Sequence, residues 1–117
     1  MNFSIGVDIE EISRFKKVLT NKNFLNKVFS KKEIKYCFAK KRPEEHLAAR
    51  FAAKEAIIKA VSGKSRRKIL LYNKIEVIND KNNAPRIIIK DVNFTKKTIK
   101  ISMSHCEDKA IALAIIY

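Results

Sequence analysis

The segment that most limits the fold is the alanine-rich run from about Pro43 to Ser62. Pro43 suits the first turn of a helix, where a missing amide goes unnoticed. Glu44 and Glu45 then sit at the positive end of the helix dipole, and Gly63 supplies a C-terminal stop. A helix of about twenty residues spans ~30 Å, the width of a small domain. In a chain of 117 residues everything else must pack around it. With 46% hydrophobic positions the chain holds enough apolar material for one core, and it is too short for two ordinary domains. The reading is one domain over residues 1–117.

Strand-like segments flank this helix. From Asn2 to Asp8, Phe3, Ile5 and Val7 alternate with smaller or polar neighbours, a period of two that predicts a half-buried strand ending at Asp8. From Ile9 onward the apolar positions Ile12, Phe15, Val18 and Leu19 follow helical spacing. Ser30 and Glu33 form a capping-box pattern for a second helix from about Lys31 to Ala39, with Lys40, Lys41 and Arg42 favourable at its end. After the long helix, the basic stretch Lys64 to Lys68 reads as a loop. Lys74–Asn79 and Arg86–Lys90 read as a hairpin joined through Asp80 to Pro85. Ile99, Ile101 and Met103 alternate with polar residues, His105 to Lys109 makes a polar turn, and Ala110 to Tyr117 is an almost wholly apolar strand. The expected class is α+β, a single domain in which an antiparallel sheet packs with one long and several short helices.

Charge narrows the partners without naming one. Twenty-six basic residues against 12 acidic ones give a formal charge of +14, which attracts RNA, an anionic membrane surface, a nucleotide cofactor or an acidic protein. On composition alone a small basic RNA-binding protein without catalysis heads that group. The Lys, Asn and Ile excess also fits an AT-rich coding bias, which inflates the lysine count independently of binding. No unbroken apolar run approaches the roughly eighteen residues that span a bilayer, and Met1 leads into a short strand with no secretory core, so the expectation is a cytoplasmic protein with no membrane partner. Cys37 and Cys106 form no C-x-x-C and are read as reduced thiols. The sequence has no Walker loop, no G-x-G-x-x-G, no H-E-x-x-H, no zinc-type Cys/His spacing and no RNP-like run.

Three segments carry candidate chemistry. In Gly6-Val7-Asp8-Ile9-Glu10 two carboxylates end a hydrophobic strand, where they either hold a hard cation through oxygen or serve the following helix, Asp8 as its cap and Glu10 on its dipole. In Arg50-Phe51-Ala52-Ala53-Lys54-Glu55-Ala56-Ile57-Ile58-Lys59, Glu55 and Lys59 share a face one turn apart. They form either an i,i+4 ion pair or part of a site that Ala48 and Ala52 leave open to a ligand. In Ser102-Met103-Ser104-His105-Cys106-Glu107-Asp108, His105 is either a solvated turn residue or a site residue; with no G-x-S-x-G elbow, Ser104 and Cys106 are not read as covalent nucleophiles. His46 is unspecific.

Taken together, the N-terminal G-V-D, the central R-F-A-A-K-E-A followed by Lys59, and the S-M-S-H turn resemble the signature of the holo-[acyl-carrier-protein] synthases, which are phosphopantetheinyl transferases. The resemblance runs from Gly6 to His105. It implies that Asp8 and Glu55 bind Mg²⁺ against the pyrophosphate of coenzyme A, that Lys59 and Arg50 touch phosphate, and that His105 contacts coenzyme A. It further implies that the phosphopantetheine arm passes directly to a serine of an acyl carrier protein, giving holo-carrier and adenosine 3′,5′-bisphosphate and feeding fatty-acid synthesis. The base for the serine proton is a carboxylate, a metal-held water or His105. Glu10 is similar to the D-x-E of larger Sfp-type transferases and is either a third metal ligand or a first-turn acid. Arg14 matches a position that the family uses to dock its acidic carrier. Lys16 and Lys17 lie beside it. The resemblance also implies a homotrimer, with which the apolar strand Ala110 to Ile116 is compatible. The basic loop Lys64 to Lys68 and Ala84 stand where the family tends to carry glycine, so Arg66 and Arg67 are either 3′-phosphate contacts or surface charge.

Overall fold

The structure, a computed structural model, describes residues 2–62, 71–94 and 96–117. Its centre is the expected long helix. Before it come strand β1 (Ser4–Glu11) and three short helices, α1 (Ile12–Lys16), α2 (Lys22–Val28) and α3 (Lys31–Phe38). Helix α4 (Pro43–Ser62) follows, and then β2 (Ile75–Asn79), β3 (Pro85–Ile89), β4 (Ile99–His105) and β5 (Lys109–Ile116). The strands form two antiparallel sheets, a three-stranded one in the order β1-β5-β4 and the β2-β3 hairpin. The expected loop Lys64 to Lys68 lies outside the described residues.

Helix α4 is buried on nearly every side. Leu47, Ala48, Ala49, Ala52, Ala53, Ala56, Ile57, Ala60 and Val61 are all in the core, which is how a helix with apolar residues all round comes to sit inside a small domain. Alanines on both surfaces bring it close to the sheet. Strand β5 turns Ala110, Ala112 and Ala114 inward, and Gly6 of β1 lies opposite Ala114. One cluster of side chains fills the space between the C-terminal half of α4, the hairpin and the large sheet; a second joins α1, α2 and α3 to the N-terminal half.

Local chemistry explains most element ends. Ser30 caps α3: its Oγ accepts from the Glu33 amide at 3.2 Å, and Glu33 Oε1 accepts from the Ser30 amide at 2.8 Å. Asn21 caps α2 by accepting from the Phe24 amide. The hairpin turn has no glycine. Asn83 takes the left-handed conformation at φ 62° instead, and Asp80 Oδ1 accepts from the amides of Asn82 and Ala84.

One expected boundary is overturned. Strand β1 does not end at Asp8. It stays paired with β5 through Glu11 opposite Lys109, and the first helix starts at Ile12 with Glu11 before it. The ladder hydrogen bonds override the helical spacing of Ile9 and Ile12. Asp8 is therefore not a helix cap, and Glu10 is not a first-turn acid, because both lie in the strand.

Candidate active site at the seam of β1 and α4

Alternation along β1 decides which side chains meet α4. Gly6, Asp8 and Glu10 face the helix, whereas Phe3, Ile5, Val7 and Ile9 face away and are exposed. Across the seam, α4 presents Glu55 and Lys59. Lys59 turns to the strand, its Nζ donating to Asp8 Oδ1 at 2.9 Å and to the Val7 carbonyl at 3.1 Å. The alternative of a Glu55–Lys59 ion pair gives way to this contact between elements. Asp8 Oδ2 is buried and, among the described residues, has no hydrogen-bond partner.

Glu10 and Glu55 add further acidic charge close enough to act on this part of the seam. Burial pushes Glu10 up from 4.5 to about 7, aided by the proton it would share with Asp8 and by repulsion from Asp8; Glu55 adds a smaller repulsion. Glu10 also meets Arg14 at 3.8 Å, so the exposed Arg14 of α1 stands at the rim of the acidic group. Glu55 Oε1 accepts a short hydrogen bond from the hydroxyl of Tyr72. Burial, then that bond, raises the Tyr72 phenol to about 12, which keeps the proton on the tyrosine as donor. Among the described residues no three His, Cys, Asp or Glu side chains form a ready-made metal cage. Two carboxylates with one orphaned oxygen still fit a hard cation whose other ligands are water or phosphate oxygens.

Arg50 and His105 belong to a second, basic group on another side of α4. Arg50 is buried, donates to Asn79 Oδ1 at 2.6 Å and lies 4.1 Å over the Tyr36 ring, and its Nε has no partner among the described residues. It lines a cavity of about 270 Å³ with Lys32, Tyr36, Val77, Ile78 and Asn79. From Tyr36 the contacts continue to His46, edge-on at 6.0 Å, and from His46 to His105 at 6.4 Å. Burial, followed by the Arg50 charge, lowers His46, which leaves this imidazole neutral more readily. Sheet register puts His105 and Glu10 in one cross-strand row, both opposite Ala110. The predicted residues thus divide into Asp8, Glu10, Glu55 and Lys59 at the seam, Arg50 at the α3–β2 face, and His105 reached from it through Tyr36 and His46.

Three residues of this region were not anticipated. Lys54 and Glu33 form a wholly buried ion pair at 2.7 Å, and Tyr72 reaches Glu55 from beyond the helix.

Comparison with known proteins settles the family. Residues 4–115 match the model of the 4′-phosphopantetheinyl transferase superfamily. This chain belongs to that superfamily. It is 43% identical over 114 residues, 96% of each chain, to the holo-[acyl-carrier-protein] synthase of Thermodesulfovibrio yellowstonii. It is 38% identical over 120 residues, covering 96% of this chain and 95% of the other, to the enzyme of that name from Chloroherpeton thalassium. Among solved structures it resembles the ACPS–CoA complex of Chronobacterium ammoniagenes, with a TM-score of 0.83 and 30% identity over 99% of this chain and 97% of that one. A Bacillus anthracis holo-(acyl-carrier-protein) synthase in complex with CoA (3′,5′-ADP) gives a TM-score of 0.80 and 33% identity over 97% and 94%. The α+β class is thereby confirmed.

Proposed function

We propose that this chain is a holo-[acyl-carrier-protein] synthase that moves the 4′-phosphopantetheine arm of coenzyme A to a serine of apo-acyl carrier protein, with Asp8 and Glu55 holding Mg²⁺. The serine oxygen bonds to the β-phosphorus, the phosphoanhydride bond to adenosine 3′,5′-bisphosphate breaks, and the serine proton leaves to a base. The cation supplies charge neutralisation on the pyrophosphate. The observation that carries the reading is the acidic seam, where family membership meets a buried Asp8 oxygen that has no donor among the described residues.

The chain's own residues divide the remaining work. Lys59, on the open side of the seam, is placed to exchange its contact with Asp8 for a phosphate oxygen. Arg50, with Lys32 beside it, gives the cavity at Tyr36 a positive lining suited to a phosphate of the donor, and His46 and His105 extend that lining toward the sheet. Glu10 stands as a third carboxylate whose ionisation a cation would favour. Exposed Arg14 marks the edge at which an acidic carrier docks, and the net charge of +14 steers its approach. The reading places the protein in the cytoplasm, preparing carrier protein for fatty-acid synthesis.

Assembly as a trimer is part of the same proposal. The outward face of the large sheet exposes Phe3, Ile5, Val7, Ile9, Ile111 and Leu113, each more than 40% accessible. So continuous an apolar surface is unusual on a monomer, and a second and third copy of this chain would cover it.

The deciding experiment incubates apo-acyl carrier protein and coenzyme A with the protein and follows the intact mass of the carrier. One phosphopantetheine is added with Mg²⁺ and none with EDTA, while Asp8→Ala and Glu55→Ala abolish the addition and keep the wild-type circular dichroism spectrum. Normal transfer by either variant removes the metal assignment. No transfer to several carriers removes the function and returns attention to RNA.

A further inference from the structure

The buried ion pair and the seam are connected through Tyr72. Lys54 Nζ donates to the Val28 carbonyl at 2.6 Å, to Glu33 Oε1 at 2.7 Å and to the Tyr72 carbonyl at 3.1 Å, which satisfies all three of its protons. Glu33 is held in turn by the Ser30 amide at 2.8 Å and, through Oε2, by the Val77 amide at 2.9 Å. Adjacent residues of α4 thus grip Tyr72 at both ends: Lys54 donates to its main-chain carbonyl and Glu55 accepts a hydrogen bond from its hydroxyl. The ring cannot drift between those ends, because it is stacked on Phe51 with centroids 5.4 Å apart and planes 24° from parallel.

The consequence for Glu55 is geometric. A carboxylate on a helix has free terminal torsions and can offer a cation one oxygen, two, or none. With the phenol on Oε1, one oxygen of Glu55 already carries a donor and rotation of the carboxylate is restrained. We infer that Tyr72, anchored by the buried Lys54–Glu33 pair, is the positioning residue that orients the Glu55 carboxylate toward the cation. The inference rests on the reading that Asp8 and Glu55 hold that cation. It assigns Tyr72 no contact with substrate. Outer hydrogen bonds of this kind fix ligand orientation, and their loss costs ~10–100-fold in metal affinity.

The test is Tyr72→Phe, which keeps the ring and its stack on Phe51 and removes the hydroxyl. Binding of Mn²⁺ to the full chain is measured by the electron paramagnetic resonance signal of the free ion, with coenzyme A present, for wild type, Tyr72→Phe and Glu55→Gln, together with the melting temperature of each. The expected result is that Tyr72→Phe melts with wild type but binds Mn²⁺ about tenfold or more weakly, while Glu55→Gln shows no specific binding. A Tyr72→Phe dissociation constant within about twofold of wild type, or a tighter one, with binding still lost in Glu55→Gln overturns the inference and leaves the metal reading standing. Wild-type binding by Glu55→Gln overturns the metal reading, and the inference with it.

Discussion

Replacing Gly6 by alanine should be far more damaging than one added methyl group suggests. A Cβ at this position would stand 1.9 Å from the carbonyl oxygen of Ala56, 2.9 Å from its carbonyl carbon and 2.9 Å from the Ala60 amide nitrogen. All three are backbone atoms of α4, so no rotamer change relieves the contact. Real Cβ contacts stay beyond 3.0 Å, so the helix and β1 must separate locally by at least 1.1 Å. Overpacking of a core costs about 1–3 kcal/mol, and a clash against the main chain of the central helix belongs at the upper end, ~3 kcal/mol. For a domain of this size that is a fall in melting temperature of roughly 10–15 °C. The same displacement draws Glu55 and Lys59, which bracket Ala56, away from Asp8, and a ~1 Å error in a reacting constellation costs on the order of 100-fold in rate. Thermal unfolding followed by circular dichroism reads the first effect and carrier-mass kinetics the second. A Gly6→Ala protein that melts within about 2 °C of wild type and transfers at full rate would refute the close approach of β1 to α4.

Lys54→Met should destabilise the fold by about 3–5 kcal/mol in urea titration, because it leaves Glu33 charged and buried and strips a donor from the carbonyls of Val28 and Tyr72. A loss below ~1 kcal/mol would show that the pair carries no such weight. Paired substitution of Ile5 and Leu113 by lysine, on the exposed apolar face, should convert a trimer to a monomer in light scattering after gel filtration, and an unchanged mass would move the interface elsewhere.

The parts of the fold legible in the sequence are those whose signals are local. Pro43 and the two acids after it placed the start of α4, the Ser30–Glu33 box placed α3, and the Asp80 to Pro85 turn separated two strands that do pair. Strand β1 was misjudged because Ile9 and Ile12 fit both a strand and a helix over so short a stretch, and only the register with β5 decides between them. Helix α2 is only seven residues long, and its signals, the Asn21 cap and the helical spacing of Phe24, Leu25, Val28 and Phe29, lie within a stretch otherwise of lysine and asparagine. At the seam, Asp8, Glu55 and Lys59 were visible as residue types, and the structure joins Lys59 to Asp8 and Glu55 to Tyr72. The buried pair was not visible: Glu33 and Lys54 lie on different helices, and each has an ordinary local role, one in a capping box and the other as a good helix former.

Net charge and site charge have opposite signs in this protein, and the opposition has a physical use. The excess of basic residues acts over about a Debye length, ~8–10 Å at ordinary salt, and draws in polyanions without distinguishing among them. At the seam the sign reverses. Asp8, Glu10 and Glu55 gather where the described cations nearby are Lys59, committed to Asp8, and Arg14 at the rim. A phosphate arriving there meets carboxylates first and is repelled unless a cation stands between them, whereas the cavity at Arg50 and Tyr36 has a positive lining. An RNA-binding surface has no reason to place three acids at its centre, and a transferase that must bridge carboxylate and pyrophosphate does. The feature that separates these readings is therefore the position of a few acids in the strand–helix register, a quantity that the total charge conceals.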